Sequence, residues 1–456
     1  MLIGFKIKNF RSFNELQHFS MIAGKTRNFN EHICEKRGKK ILKFSSIYGA
    51  NASGKSNLVL AINLGKKMIL SNSAAIFSNQ YFRFDKNNID KSSYFEYEIE
   101  KNGRLYSYGF EVNVNKKIID SEWLIDMTSP KELVIFEKDN INKNFHSNLK
   151  FDNKDDKNRF DICKKDMKDN NNILFLSEMN RRIMLSKEKN DSFKDFTNVF
   201  DFFVNDLQII LPNQKREIQF NYFSKFKDEI KPLLFKLGLD ITDLVEYNTT
   251  MDEIKDKLKS EYSAFIEQFN QEFNKFKKAK GYKFEATLRI ENSIYTISYV
   301  ENEEGFKVKA IKVIHGDPDV PFDTYEESDG TLRILELIDV LLSDEKVYII
   351  DEIDRSLHPS LTIEFVKSFL ELLKDKNSQL IITTHESRLL DYDILRRDEI
   401  WFTDKNEEKA TELYSLEQFK DDARFDRKID KAYLDGRYGA IPIFHEFFEV
   451  DNENNK

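Results

Sequence analysis

Residues 49–56 read Gly-Ala-Asn-Ala-Ser-Gly-Lys-Ser and follow an apolar stretch at 41–48. The eight residues fit the phosphate-loop pattern G-x-x-x-x-G-K-[ST], and a helical pattern continues from them to about Leu70. The glycines let the backbone curl so that its N–H groups face a phosphate chain, and the following helix adds its positive N-terminal end. This order of strand, loop and helix predicts an α/β fold that binds a nucleotide at the end of the strand.

The loop supplies most of the candidate ligand-binding residues. We expect Lys55 to neutralise the β- and γ-phosphates of ATP, and the hydroxyl of Ser56 to be a ligand of Mg²⁺. The residues predicted to bind the nucleotide here are Gly49, Ala50, Asn51, Ala52, Ser53, Gly54, Lys55, Ser56 and Asn57.

A second element is the continuous apolar run at 347–350, which is followed by Asp351 and Glu352. Such a run is typical of a central parallel strand, and ligands bind at the carboxyl ends of these strands. Asp351 is therefore expected to hold Mg²⁺, directly or through water. Glu352 has the chemistry to polarise the attacking water. In the alternative interpretation, the two carboxylates only cap the following turn.

A third element is the run Leu-Ile-Ile-Thr-Thr-His at 380–385. One helical segment separates this buried strand from the strand before Asp351, so the two predict neighbouring strands of a parallel sheet. His385 would then emerge close to the γ-phosphate as a sensor or hydrogen-bond relay. A histidine that follows a strand can also have a purely structural role.

A fourth element, Ser-Asp-Gly-Thr at 328–331, precedes a helical pattern at 332–342. Taken alone, it is an ordinary helix start in which Ser or Asp accepts hydrogen bonds from the first free N–H groups. The same N–H groups and the helix dipole can also bind a phosphate. The residues by themselves favour the capping interpretation.

Composition limits the function classes. The chain has 456 residues, and 71 Lys and Arg against 79 Asp and Glu give a net charge of −8, which argues against a polycationic DNA coat. A mean hydropathy of −0.57 and the lack of a long apolar run argue against a transmembrane helix, and the early lysines argue against a secretory signal. With Cys34 and Cys163 alone, no disulfide framework is possible. These features predict a soluble, cytoplasmic protein without a membrane partner.

The rest of the sequence predicts the organisation of the chain. Alternation at 2–10 suggests an edge strand, and 94–125 suggests an antiparallel pair that turns at Asn102-Gly103. An aromatic stripe at 254–276 predicts a helix packed in a small bundle, and strands return at 284–314. We predict an N-terminal ATPase lobe at 1–149, a helical insertion at 150–282, a C-terminal ATPase lobe at 283–420 and an extension at 421–456.

Seven motifs together resemble a known class. Their order is similar to that of the ABC-type ATPase heads of SMC and OLD-like proteins. The resemblance is closer to the stand-alone AAA-family ATPases of prokaryotic anti-phage operons, which include RloA-like and abortive-infection ATPases. It covers about 1–125 and 300–445. The motifs are KIKNFRSF (6–13), YGANASGKSNL (48–58), ESDGTLRILEL (327–337), YIIDEIDRSLHP (348–359), IITTHES (381–387), LRRDEIWF (395–402) and YLDGRYGAIP (433–442).

The resemblance implies an ABC-type P-loop ATPase head with an antiparallel subsheet and a helical insertion. It implies that Asp351 and Glu352 are the Walker B pair and that His385 is the switch histidine. Ser328 and Gly330 would belong to a signature loop that contacts the γ-phosphate held by a second protomer. Residues 354–358 would form the D-loop region. Two ATP molecules would be bound between two heads, so hydrolysis would require a homodimer or a larger homo-oligomer.

The resemblance also places Arg11 near the base or ribose. The sequence departs from the family pattern at three points. The signature reads Glu-Ser-Asp-Gly-Thr instead of a Ser-Gly-Gly core, and the D-loop has Leu357-His358 instead of Leu-Asp. No glutamine is convincingly placed as the Q-loop residue, for which Gln80 is a weak candidate.

Effector chemistry is expected to lie outside this chain. Many OLD-like proteins continue into a Toprim nuclease domain, but about 70 residues follow His385 here, too few for a domain with its own core. The Asp421-Asp422 pair is expected to lie in a solvated loop. The leading hypothesis is an ATP-hydrolysing sensor and scaffold of an anti-phage system, which controls a separate nuclease or toxin.

Two other classes remain open. One is an SMC-like DNA-binding ATPase in repair or segregation, with DNA contacts through the lysines at 275, 277, 278 and 280. These lysines would also satisfy the dipole at the end of a helix, and this second interpretation is the favoured one. The other is a nucleotide-locked structural protein that hardly turns over, against which the presence of Glu352 and His385 argues.

Overall fold

The chain divides into two compact units. The first comprises Met1–Ile209, Asp344–Glu352 and Lys376–Lys456, and the second comprises Ile210–Ser343 and Ile353–Asp375. The computed structural model describes residues 1–26, 28–76, 79–186, 191–212, 227–259, 262–278, 283–290, 292–300, 306–372, 374, 376–419 and 428–442.

The first unit contains most of the strands. They are β1 (Leu2–Lys8), β2 (Gln17–Ser20), β3 (Ile33–Lys36), β4 (Lys39–Leu42), β5 (Phe44–Gly49), β6 (Ser93–Lys101), β7 (Arg104–Asn113), β8 (Ile118–Asp126), β9 (Leu133–Asp139), β10 (Asn144–His146), β11 (Leu207–Ile210), β17 (Val347–Ile350), β18 (Gln379–Thr383), β19 (Ile400–Lys405) and β20 (Thr411–Ser415). Its helices are α1 (Lys55–Ser71), α2 (Lys154–Asp166), α3 (Phe175–Ser186), α4 (Lys194–Asp201) and α10 (Ile429–Leu434).

One sheet of this unit is antiparallel. In the described part of the chain its order is β10-β9-β8-β7-β6-β1-β2. The hairpin between β6 and β7 turns at Asn102 and Gly103, whose φ angles of 52° and 73° are those of the turn that a two-residue hairpin favours. The predicted antiparallel pair at 94–125 is confirmed.

The prediction that the first strand lies at a sheet edge is wrong. β1 pairs with β6 on one side and with β2 on the other. Leu2, Ile3, Phe5 and Ile7 are all fully buried, so both faces of the strand are covered. The alternation of apolar and charged residues did not reveal the second partner, because β2 is only four residues long and polar in sequence.

A second sheet holds the predicted motifs. Its order is β11-β17-β18-β5-β19-β20 among the described residues. β17, β18, β5 and β19 are parallel, and β20 is antiparallel to β19. The carboxyl ends of β5, β17 and β18 therefore lie at the same edge, and the predicted parallel α/β sheet is confirmed.

The second unit combines an antiparallel sheet with helices. Its strands are β12 (Asp243–Thr249), β13 (Lys283–Ile290), β14 (Ser293–Val300), β15 (Lys307–Ile314) and β16 (Pro321–Asp323), and its helices are α5 (Lys227–Lys236), α6 (Met251–Leu258), α7 (Tyr262–Lys278), α8 (Asp329–Leu342) and α9 (Pro359–Leu372). The described strands pair in the order β12-β15-β14-β13, with β16 on β15. The span 150–282 thus contains β11 and β12 as well as helices.

The aromatic stripe does not form a helical bundle, contrary to the prediction. It belongs to two helices, because α6 ends at Leu258 and the next residue has a positive φ of 45°. Phe265 packs edge-on against Tyr295 of β14, and Phe269 packs edge-on against Phe284 of β13. The stripe therefore covers one face of a sheet, for which its helical spacing is equally suitable. No helix among the described residues has the length and apolar character to cross a membrane.

Candidate functional site

The phosphate loop connects β5 to α1 with the geometry that its glycines allow. Gly54 has a φ of 123°, a conformation that other residues rarely adopt, and a Cβ there would overlap the side chain of Thr411. Among the described residues, no side chain caps the N terminus of α1. The first N–H groups of this helix can therefore bind an anion.

The ammonium group of Lys55 lies within the loop. It donates hydrogen bonds to the carbonyl oxygens of Gly49 (2.6 Å) and Ala50 (3.1 Å), and the residue is 6% exposed. A buried cation held by main-chain oxygens is in position for strong interaction with phosphate, because screening by water is weak there.

Hydroxyl groups from the C-terminal part of the unit support the loop. Thr403 of β19 lies 2.7 Å from the Ser53 hydroxyl. Thr411 of β20 donates to the Ser53 carbonyl at 2.6 Å, and its hydroxyl lies 2.8 Å from that of Ser12. The Asn57 amide also donates to Ser12 at 2.8 Å. These buried hydrogen bonds fix the loop to β19 and β20.

Asp351 lies directly against the loop. The Ser56 hydroxyl donates to Asp351 Oδ1 over 3.2 Å, and Asp351 is 2% exposed. A hydroxyl and a carboxylate are oxygen donors that suit Mg²⁺ when phosphate oxygens and water complete its octahedral shell. The residues present therefore fit a Mg²⁺ ion bound together with a nucleotide.

Thr383, the last residue of β18, holds the acidic pair in place. Its hydroxyl donates to Asp351 Oδ1 at 2.6 Å and accepts the backbone N–H of Glu352 at 2.8 Å. Glu352 has a φ of 52°, a strained conformation for a residue with a side chain. Thr383 thus stabilises the turn that follows β17.

The pKa of Asp351 is raised by burial above the ordinary 3.8 of an aspartate. Hydrogen bonds from Thr383 and Ser56 favour the ionised form and oppose this shift. The charges of Lys55 and His385 act in the same direction. His385, exposed after β18, is therefore near enough to Asp351 to influence its charge. Ionisation of the buried Asp351 carboxylate costs free energy, and a bound cation would lower this cost.

Arg11 is adjacent to the first turn of α1. Its Nη1 lies 3.4 Å from Asn57 Oδ1, and its Nε donates to Gln80 Oε1 at 2.5 Å. The backbone N–H of Arg11 also donates to the Gln80 carbonyl. The structure thus brings together Asn57, Arg11 and the predicted Q-loop candidate in one hydrogen-bonded group.

The predicted signature loop belongs to the second unit. The Ser328 hydroxyl accepts the backbone N–H of Thr331 at 3.1 Å, which confirms its capping role at the start of α8. A Cβ at Gly330 would lie 2.9 Å from the carbonyl oxygen of Ser356, so this glycine allows the close approach of the predicted D-loop region. Ser356 itself has a φ of 63°.

A histidine contacts Glu327, the residue before the predicted signature serine. His315 lies 2.6 Å from Glu327 through Nε2 and 2.8 Å from the Asp240 carbonyl through Nδ1. Burial alone lowers the pKa of His315, but these two acceptors raise it more, so the net shift is above 6.5. The sequence analysis did not identify His315.

Two predicted groups lie outside what the structure describes. Asp421 and Asp422 are not among the described residues, and neither is Lys280. Lys275, Lys277 and Lys278 belong to α7, but the description does not extend to their side chains.

A comparison with protein families decides the class. Residues 44–391 match the family described as "AAA domain, putative AbiEii toxin, Type IV TA system". The chain belongs to this AAA-domain family. It is an ATPase of the AAA/ABC-type class, and its sheet and loop are those of a P-loop ATPase head.

Solved structures of SMC head domains are similar to this AAA-domain chain. A head bound to the C-winged helix domain of ScpA is 15% identical, with a TM-score of 0.39 and coverage of 91% of this chain and 97% of that one. The head from Thermotoga maritima is 13% identical, with a TM-score of 0.37 and coverage of 91% and 98%. A head with an extended coiled coil, bound to the C-terminal domain of ScpA derived from Pyrococcus furiosus, is 15% identical, with a TM-score of 0.37 and coverage of 96% and 98%. No curated protein matches the chain.

Several supporting residues of the AAA-domain site were not predicted. Tyr433, in the motif at 433–442, packs edge-on against Tyr48, the residue before the loop, and donates to the Ala440 carbonyl at 3.2 Å. Thr383, Thr403 and Thr411 have strand positions that do not distinguish them from other buried threonines. The motifs that carried the resemblance were the available signal, because the last of them contains Tyr433.

Proposed function

We propose that this ATPase is a nucleotide-driven sensor and scaffold of a prokaryotic anti-phage system, acting in the cytoplasm where ATP is available. The observation that supports it most is the group formed by Ser56, Asp351 and Thr383, with Glu352 in the adjacent turn. This group contains the ligands and the base that ATP hydrolysis requires, and a slow change of nucleotide state can switch an assembly.

Each residue has a distinct role in the proposed reaction. The N–H groups at the start of α1 and the ammonium of Lys55 bind the phosphates of ATP. Ser56 and Asp351 would hold Mg²⁺, which neutralises developing charge on the phosphate oxygens when bound. Glu352 orients the attacking water and accepts its proton, and His385 hydrogen-bonds the γ-phosphate. Arg11 contacts the ribose or base.

Dimerisation would complete the site. Ser328 is exposed at the N terminus of α8, where free N–H groups favour an anion. We assign Ser328 and Gly330 to the γ-phosphate of ATP bound by a second copy of the chain. The γ-phosphate then stabilises the dimer, and its release after hydrolysis weakens it.

The defence context rests on two sources. The motif order resembles that of anti-phage ATPases, and the family description names a toxin of a type IV toxin–antitoxin system. The proposed assembly restrains or releases a separate nuclease or toxin according to its nucleotide state. The chain described here would supply the switch, and its partner the toxic chemistry.

Solution mass in the presence of ATP tests the switch. Glu352→Gln keeps the shape of the side chain but cannot accept a proton, so it is expected to accumulate a dimer or larger species with ATP and Mg²⁺. Adding Ser328→Arg to Glu352→Gln is expected to abolish that species without abolishing ATP binding. A monomer under all conditions would overturn the proposal. If the dimer or larger species were retained only on DNA, and this retention were lost at high salt, the result would favour the SMC-like alternative.

A further inference from the structure

A lysine-lined cavity lies in the first unit, away from the phosphate loop in sequence. Its volume is about 370 Å³, within the range of about 300–1,000 Å³ for small-molecule sites. It is formed between β9, the turn into β10, and the end of α2. The lining residues are Lys138, Asp139, Asn140, Lys143, Asn144, Phe145, Asp161, Lys164, Lys165 and Lys168.

The charge of this cavity is opposite to that of the chain. Five lysines line it against two aspartates, although the whole protein has a net charge of −8. One of the aspartates, Asp139, already accepts hydrogen bonds from the backbone and side chain of Asn142. Among the described residues, no carboxylate lies within ion-pair distance of Lys165 or Lys168. The cavity therefore offers cationic groups that are not neutralised locally.

The dipole of α2 explains only part of this cluster. Lys164 and Lys165 lie in the last turn of the helix, where cations interact favourably with its C terminus. Lys138 comes from β9, however, and Lys143 comes from the turn that follows it. Lysines from separate segments thus line one concave surface, at a cost in mutual repulsion that an anionic ligand would remove.

Two of the cationic groups are fixed by their surroundings. Lys138 is 3% exposed and donates to the Asn170 carbonyl at 2.7 Å. Burial lowers the pKa of Lys138, and the charge of Glu122 opposes this shift. The ammonium of Lys164 lies 4.9 Å from the centre of the Phe145 ring. Fixed donors lose little side-chain entropy when a ligand binds.

We propose that this cavity binds a small phosphorylated ligand, up to the size of a nucleotide, through its polyphosphate group. The bounded volume and the converging lysines favour a compact, multiply charged anion over a long nucleic acid, which would need an extended basic groove. The site is separate from the ATPase site and goes beyond the proposed switch. Inorganic polyphosphates and nucleotides share this chemistry, and they are compared in the experiment.

Equilibrium binding of tripolyphosphate and of ADP to the full-length Lys55→Ala variant tests the proposal. This variant lacks the phosphate-loop lysine, so binding to the ATPase site is suppressed. We expect saturable binding of one anion per chain, weakened by salt. Adding Lys165→Glu and Lys168→Glu is expected to weaken it by about tenfold or more, because two charge-assisted contacts become repulsive. Stronger binding of ADP than of tripolyphosphate would identify a nucleotide, and not an inorganic polyphosphate, as the ligand of the cavity.

Matched variants distinguish this cavity from general surface charge. Lys154→Glu and Lys157→Glu change exposed lysines of α2 that do not line the cavity. They are expected to leave the affinity for tripolyphosphate unchanged. If the double variant folds poorly by circular dichroism, Lys143→Glu, at a side chain 70% exposed, replaces it. Equal losses in the cavity and control variants would overturn the proposal, as would unsaturable binding. A single-stranded oligonucleotide that binds more tightly than tripolyphosphate, increasingly with length, would also overturn it.

Discussion

The Thr383 hydroxyl donates to Asp351 Oδ1 over 2.6 Å, and the Thr383 hydroxyl oxygen accepts the backbone N–H of Glu352 at 2.8 Å. One side chain of β18 thus orients both acidic residues that follow β17. Replacing it with valine keeps the shape but leaves the carboxylate and the N–H without this partner. We expect Thr383→Val to lower kcat for ATP hydrolysis by about a hundredfold, because small displacements of catalytic groups have effects of this size.

Steady-state ATPase assays check this expectation, with Thr383→Ser as the control. Serine retains the hydroxyl and is expected to keep most of the activity. Wild-type kcat in Thr383→Val would contradict the orienting role of the threonine.

Asp351 is expected to destabilise the nucleotide-free protein. Because its pKa is raised in the folded state, its contribution to stability is fully present below about pH 3.8 and is lost as the pH rises through the folded-state pKa. At neutral pH the ionised carboxylate therefore opposes folding. Asp351→Asn should raise the Tm of the nucleotide-free protein and abolish Mg²⁺-dependent ATP hydrolysis. A lower Tm at neutral pH would contradict this account.

Gly54 is required at its position for two reasons, its φ of 123° and the contact that a Cβ would make with Thr411. Gly54→Ala is expected to abolish ATP binding, as measured by titration with a fluorescent nucleotide. Gly38 provides the control, because it also has a positive φ, of 75°, but no atom lies within 4 Å of a Cβ there. Gly38→Ala should cost about 1 kcal/mol of stability and leave ATP binding intact. Equal ATP affinity in both variants would refute the steric explanation.

The contacts of His315, near the predicted signature loop, should make the free energy of unfolding depend on pH. Both of its ring nitrogens face acceptors, Glu327 and the Asp240 carbonyl, so the protonated ring is favoured and the pKa is raised above 6.5. The stability from this shift is fully present below about pH 6.5 and is lost as the pH rises through the raised pKa. Urea unfolding should therefore show that His315→Gln loses more free energy of unfolding at about pH 6 than at about pH 9. A loss independent of pH would mean that the ring acts only by packing.

The parallel sheet and the phosphate loop were predictable because each has a local pattern. The loop needs glycines and a lysine at fixed spacing, and β17 and β18 each contain an uninterrupted run of apolar residues. Ser56 and Asp351 could be paired because both follow strands whose ends share one edge. The predicted helix start at Ser328 was also local, and its cap is observed.

The missed features depend on tertiary partners. β1 is internal because β2 and β6 flank it, and its own residues do not encode that. The aromatic stripe has the same spacing whether it packs on helices or on β13 and β14. Thr403 and Thr411 support the loop only because β19 pairs with β5 and β20 pairs with β19, although these strands lie about 350 residues after the loop in sequence. Side chains that act through tertiary contacts have no signature of their own.

The most direct test of the central claim is ATP turnover per chain as a function of protein concentration, with solution mass recorded on the same samples. A site completed by a second copy predicts that turnover per chain rises with concentration and reaches its plateau as the dimer or larger species forms. Ser328→Arg should remain at the low, monomeric rate throughout. Turnover that is independent of concentration in a protein that stays monomeric would contradict the claim, because all catalytic groups would then come from one chain.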